Sequence, residues 1–183
     1  MPAKDKDAAK NQPAPLQGCE LYIMRHGLAA DASEGVTDDA KRPLTPEGRK
    51  KMAEIARGLL CLGFDVDWIV SSPLVRAVET AGIVSDSLGK CVPMDFSDAV
   101  RPSGSAEELI AFLARQPDRK RILVVGHEPD LSQLAARLVG AGRNANLAFK
   151  KGGCCLIAFD EFPPKSPGRL VWWLTPRVMR KLV

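Results

Sequence analysis

The sequence predicts one α/β domain, a three-layer α/β/α sandwich around a mostly parallel sheet. Two apolar runs, Leu21–Met24 and Ile122–Val125, are short, unbroken and closed by turn signals, the pattern of strands covered on both faces. Stretches with helical periodicity alternate with such runs along the chain. The connections are long enough for the crossovers that parallel strands require.

With 183 residues the chain fits a single domain with a substantial core, and its 45% apolar and 26% charged fractions are ordinary for a soluble globular protein. No stretch suggests a membrane span or a secretory leader, so the chain is expected to be cytoplasmic. A formal charge of +4 gives a mild bias toward anionic ligands. There is no basic stripe with interleaved aromatics, and with 5% aromatic residues nucleic acid is not an expected partner. The basic end, Arg177, Arg180 and Lys181, reads as a solvated helix face. Five cysteines, Cys19, Cys61, Cys91, Cys154 and Cys155, lack metal-ligand spacing and read as reduced core thiols, with Cys154 and Cys155 on opposite faces of a strand.

Taken in order, residues 1–18 have no periodicity and three prolines and are expected to be a disordered tail, leaving 19–183 as the folded domain. The first strand ends at Arg25-His26-Gly27, where glycine lets the backbone turn sharply and approach a ligand. Residues 31–43 form a polar loop above that end. Thr45-Pro46 supplies an N-cap and first-turn pair for a helix whose apolar face is Met52, Ile55, Ala56, Leu59 and Leu60, ended by Gly63. Trp68–Ser71 is a second strand, and Ser72-Pro73 opens the next helix. Residues 91–94 form a short edge strand, and Ser105 to Glu108 is a capping box. After the strand ending at Gly126-His127, Pro129 starts a helix with Leu131, Leu134, Ala135 and Leu138 inward. Cys154–Phe159 and Arg169–Leu174 are final strands joined by a Pro-rich connection.

The chain has only two histidines, His26 and His127, and both fall at the carboxyl end of an expected core strand. In open α/β sheets ligands collect at that edge. Arg25 adjoins the first, and Arg76 lies in the first turn of the helix after the second strand, where unsatisfied N–H groups already favour an anion. The alternative for Arg76 is a surface arginine paired with Glu79 or Asp118. Two histidines and two arginines at one edge suit phosphoryl transfer. A neutral imidazole nitrogen attacks phosphorus, water later hydrolyses the phosphohistidine, and the arginines hold the equatorial oxygens. These cations supply the charge a metal would bring, so neither metal nor cofactor is expected. Phosphate-binding glycine loops, a serine-nucleophile elbow and a zinc-protease helix motif are all absent.

These residues also carry a resemblance. Leu21–Gly27 is similar to the RHG signature of the histidine phosphatase, or phosphoglycerate mutase-like, superfamily. The likeness continues through Arg42-Pro43-Leu44-Thr45, Ser71-Ser72-Pro73-Leu74-Val75-Arg76 and Val125-Gly126-His127-Glu128-Pro129. Within that superfamily the chain most resembles the SixA-type phosphohistidine phosphatase branch. The resemblance implies a phosphoglycerate mutase-like fold, His26 as nucleophile, Arg25 and Arg76 as phosphate clamps, and His127 as the second histidine of the phosphate pocket. Arg42 matches an arginine of the branch's R-P-L-T motif and either reaches phosphate or balances Asp38 and Asp39.

Superfamily members that hydrolyse esters carry an acid in a longer insert before the second histidine. Here the interval is short, and Asp98 is its weak candidate; Glu128 is expected to cap the helix that follows. A phosphoramidate needs less help from an acid than an ester does. The expected substrate is therefore phosphohistidine on a protein. Two alternatives stay open: a small-molecule phosphatase or mutase using Asp98, Glu128 or Glu34 as proton donor, and a phospho-ligand binding module without turnover.

Overall fold

The computed structural model describes residues 18–31, 38–142 and 145–183. The expected disordered tail, apart from Gly18, and the loop acid Glu34 lie outside the described residues.

Six strands form one sheet in the order β3-β2-β4-β1-β5-β6, with β1 Cys19–Arg25, β2 Trp68–Ser71, β3 Met94–Phe96, β4 Arg121–Gly126, β5 Cys154–Phe159 and β6 Arg169–Leu174. The first four are parallel, whereas β5 runs antiparallel to both β1 and β6. The helices are α1 Pro46–Cys61, α2 Val75–Ser87, α3 Ala106–Leu113, α4 Asp130–Leu138 and α5 Pro176–Met179. Alternate residues of the central strands feed two cores. Met24, Ile69, Leu123, Val125 and Cys154 pack with α1, α2 and Met179 of α5, while Ile23, Val70, Ile122, Val124 and Cys155 pack with α3 and α4. Strands covered in this way are apolar without alternation, which is why β1 and β4 stand out in the sequence.

The expected caps form. Thr45 Oγ1 accepts from the Gly48 N–H at 2.9 Å, and Ser105 Oγ from that of Glu108 at 3.2 Å. Three expectations shift. The edge strand lies at Met94–Phe96 rather than 91–94, because its position follows its pairing with β2 and its own residues are mostly exposed. Helix α2 begins at Val75, after Leu74 in extended conformation. Cys61 and Cys91 are exposed rather than core thiols, whereas Cys19, Cys154 and Cys155 are buried.

The register of β1 against β4 positions everything that follows. Glu20 pairs with Arg121 and Arg25 with Gly126, so both strands end at the same level. The His26 N–H then donates to Gly126 O at 3.1 Å, extending the ladder one residue past β1.

Two helical glycines separate packing from propensity. A Cβ at Gly82 in α2 meets nothing within 4 Å, whereas one at Gly58 in α1 would lie 2.0 Å from Met179 O. Gly82→Ala is expected to stabilise the fold by about 0.5–1 kcal/mol through backbone entropy. Gly58→Ala is expected to destabilise it despite the same propensity gain. Urea unfolding of the two variants checks the opposite signs.

Candidate active site

Arg25 and His26 leave β1 where Gly126 and His127 leave β4, and the two imidazole centroids are 5.0 Å apart with planes inclined by 51°. His26 and His127 are 7% and 3% exposed. The His26 Nδ1 lies 2.7 Å from Gly27 O. A carbonyl oxygen only accepts, so Nδ1 carries the proton and, in the neutral ring, Nε2 holds the lone pair. Burial pushes the His26 pKa down to about 3; the Gly27 bond opposes this, and His127, Arg76 and Arg25 reinforce it.

Gly27 itself is required by packing. A Cβ there would lie 2.7 Å from Met52 Cγ and 3.2 Å from Leu44 Cδ2, so α1 and the residue two before it also approach this position closely. Its N–H donates to Thr80 Oγ1 at 3.0 Å, and that hydroxyl donates to Arg76 O at 2.7 Å. The turn carrying His26 is thereby tied to the turn of α2 carrying Arg76.

His127 Nε2 is 2.8 Å from Ser72 Oγ, at the end of β2. Burial and then Arg76 lower its pKa to about 4, with Asp39 opposing. Arg76, 4% exposed, is no surface arginine. It pairs with neither Glu79 nor Asp118: its Nη1 donates to Asp39 O at 2.7 Å and its Nη2 to Asp39 Oδ2 at 3.0 Å. The other Asp39 oxygen accepts from Arg42 Nε at 2.9 Å, and Arg42 Nη1 donates to Ala30 O at 2.9 Å. Burial of the Asp39 carboxyl is outweighed by these bonds, which hold its pKa below the usual value. Arg25 Nη1 donates to Phe149 O at 2.7 Å, and Phe149 is stacked on Trp173 at 3.9 Å.

Arg25, His26, Arg42, Arg76 and His127 line one cavity of about 300 Å³ with Ala29, Pro102, Glu128 and Lys151. Among the described residues, five buried side-chain polar atoms lack a hydrogen-bond partner. Four of them, Arg25 Nε, Arg76 Nε, His127 Nδ1 and Glu128 Oε1, belong to this lining. Buried groups left unmet cost about 1–3 kcal/mol each, so their concentration at one cavity singles it out as the candidate ligand site.

Asp98 is outside this lining. Its side chain is 80% exposed and faces Arg101 Nη1 at 3.2 Å. Glu128 is the carboxylate on the wall. Instead of capping α4 it accepts from Ser132 Oγ at 2.5 Å, and Pro129 stands at the N-cap without a side-chain bond. Sequence reasoning missed Lys151 as a wall residue and Asp39 as the bridge between two arginines; only its neighbourhood to Arg42 pointed to Asp39. Among the described residues no three His, Cys, Asp or Glu side chains are grouped as a metal site needs. Nor, among the described residues, is any helix long and apolar enough to cross a membrane.

Residues 21–101 match the profile of the histidine phosphatase superfamily, branch 1, and the chain belongs to that superfamily. Within it, the chain is 28% identical over 159 residues to the phosphohistidine phosphatase SixA of Escherichia coli, covering 86% of this chain and 94% of that protein. An uncharacterized protein of Picosynechococcus sp. is 37% identical over 137 residues, 73% of this chain and 81% of its own length. The solved structure of the protein histidine phosphatase SixA with tungstate superposes with a TM-score of 0.75 at 25% identity, covering 87% of this chain and 99% of that one. The alpha-ribazole phosphatase of Shigella flexneri shares the fold, with a TM-score of 0.69 at 19% identity over 86% of this chain and 96% of that one.

The two lowered histidines make stability depend on pH. Between about pH 4 and 6.5 the unfolded chain protonates both imidazoles and the folded chain resists, so stability is full above 6.5 and is lost as pH falls. Each ring contributes a slope of up to about 1.4 kcal/mol per pH unit. Urea unfolding at pH 7 and pH 5, in phosphate-free buffer, is expected to show this loss, and His127→Gln is expected to remove roughly half of it. A loss untouched by His127→Gln and His26→Gln alike would mean that the folded rings take up protons normally.

Proposed function

We propose that the chain is a phosphatase that removes the phosphoryl group from phosphohistidine on a protein, through a covalent intermediate on His26. The observation that carries this reading is the His26 ring: Nδ1 is bound to Gly27 O, and the opposite nitrogen belongs to a neutral imidazole lining a cavity shared with three arginines and a second histidine. His26 Nε2 forms a bond to phosphorus while the N–P bond of the substrate breaks, and the departing imidazole leaves as a neutral ring once protonated. Water then attacks the phosphorylated His26, releasing inorganic phosphate and restoring the nucleophile. Arg25 and Arg76 stabilise the charge spread over the equatorial oxygens. Arg42 adds a third guanidinium, bridged to Arg76 through Asp39. His127 donates to a phosphate oxygen once the bound dianion raises its proton affinity.

Similarity to SixA supports phosphohistidine as the substrate. So does chemistry: an imidazole leaving group is protonated readily, whereas an alkoxide needs a positioned acid. The test is hydrolysis of a phosphohistidine protein, p-nitrophenyl phosphate and 3-phosphoglycerate in the presence of chelator. Preference for the phosphohistidine protein is expected. His26→Ala is expected to lose on the order of 10⁴-fold or more in kcat, and Arg76→Ala about 10²–10³-fold. Preference for an ester, or turnover that survives His26→Ala, overturns the proposal.

A second reading, an ester phosphatase, has one observation in its favour: the Glu128 carboxyl on the cavity wall, with Oε1 unbonded. It predicts that Glu128→Gln lowers ester hydrolysis by about 10²-fold or more and spares phosphohistidine hydrolysis. Under the proposal favoured here, ester hydrolysis is slow in wild type and Glu128→Gln changes neither rate by more than a few fold.

A further inference from the structure

Beside the His26 cavity, between α1, α5 and the loop preceding β5, lies a groove of about 460 Å³. Its floor is apolar, made by Met52, Ile55, Leu28 and Pro176. Its rim is cationic, carrying Lys51, Lys150, Lys151, Arg177 and Arg180, and no Asp or Glu among the described residues lines it. Lys51 is neutralised by Glu47 at 2.6 Å and Arg180 by Glu54 at 2.5 Å. Lys150, Lys151 and Arg177 form no ion pair among the described residues and are exposed.

Lys151 lines this groove and the His26 cavity alike, so the two depressions share a wall. That wall is fixed to the strand carrying the histidine. Gly152 N–H donates to Arg25 O at 3.1 Å and to His26 O at 3.0 Å, and Arg25 N–H donates to Gly153 O at 3.0 Å. Gly152 has φ +79°, and a Cβ there would press on Ile55 and Met52 of the groove floor. A ligand in the groove is therefore held at a set distance from the phosphoryl pocket.

We propose that this groove docks an acidic, leucine- or methionine-containing segment of the protein that bears the phosphohistidine, a proposal that rests on the reading of the pocket given above. Three cations without intramolecular partners call for an anionic ligand, and an apolar floor calls for aliphatic side chains between its charges. Nucleic acid satisfies the first demand only, because no aromatic side chain lines the groove for bases to stack on. A small phosphorylated metabolite held in the His26 cavity has no use for a second basic depression, whereas a protein substrate spans both.

The experiment uses the full chain and three substrates: free phosphohistidine and two synthetic peptides with a central phosphohistidine, one flanked by Glu and Leu and the other by Lys and Leu. The acidic peptide is expected to have a kcat/KM about tenfold or more above the basic one, expressed in KM. Lys150→Glu combined with Arg177→Glu is expected to abolish that preference while free phosphohistidine is hydrolysed at the wild-type rate. Equal kcat/KM for the two peptides, with free phosphohistidine still hydrolysed, overturns the docking site and leaves the pocket reading intact. So does an equal loss on all three substrates in the double variant, or a single-stranded oligonucleotide that competes better than the unphosphorylated acidic peptide. Hydrolysis of none of the three overturns the pocket reading and this proposal together.

Discussion

The adjacency of β1 and β4, with their carboxyl ends in register, is the constraint on which the site depends. It places two imidazoles 5.0 Å apart at the centre of the sheet, in a cavity that three arginines also line. Such a cluster of cations is unfavourable unless some members stay neutral or find counter-charge. The histidines take the first course: burial and the nearby guanidiniums keep both rings uncharged at neutral pH. The nucleophilic role proposed for His26 requires that same neutral form, so under that proposal electrostatic relief in the fold and nucleophilicity have one cause.

The arginines take the second course, and Asp39 is the means. One carboxylate and one carbonyl of that residue bind Arg76, while the other carboxylate oxygen binds Arg42. Asp39 thus occupies the guanidinium edges in the manner of an anion and fixes their planes. Each guanidinium presents five donors in a rigid fork, so fixing one edge determines where the others point. Arg76 Nε stays unbonded although buried, as does Arg25 Nε. Full satisfaction by the chain would leave no donor for a ligand, and no satisfaction would leave the arginines mobile.

Continuous burial is why so much of this was readable before the structure. β1 and β4 are apolar at successive positions because α1 and α2 cover one face and α3 and α4 the other, and the residues that break each run are those that leave the sheet at its carboxyl edge. Thr45 and Ser105 were legible because a cap is a local hydrogen bond. What sequence could not show is non-local or lacks an apolar pattern. The direction of β5 follows from chain return, β3 is set by its pairing with β2, and the Asp39 to Arg76 bridge spans 37 positions. Asp98 and Glu128 illustrate the same limit. Both are acids, but Asp98 sits on a short helical turn after β3 and faces Arg101 in solvent, whereas Glu128 lies two residues past the end of β4 and lines the cavity.

The same geometry bears on specificity. Guanidiniums and imidazoles recognise a phosphoryl group whatever it is attached to, so discrimination has to come from the leaving group and from surfaces beyond the cavity. The wall carboxylate, Glu128, is engaged by Ser132 through one oxygen and so is oriented by α4. His127 lines the candidate cavity and also a separate depression of about 460 Å³ bordered by Ser103, Glu107, Asp130 and Arg137. Lys151 opens onto the basic groove. The candidate cavity is therefore flanked by two depressions, one lined by side chains of both signs and one by lysines and arginines over an apolar floor. A long, unevenly charged polypeptide distinguishes its own direction across such a surface, and a compact metabolite has no means of sensing it.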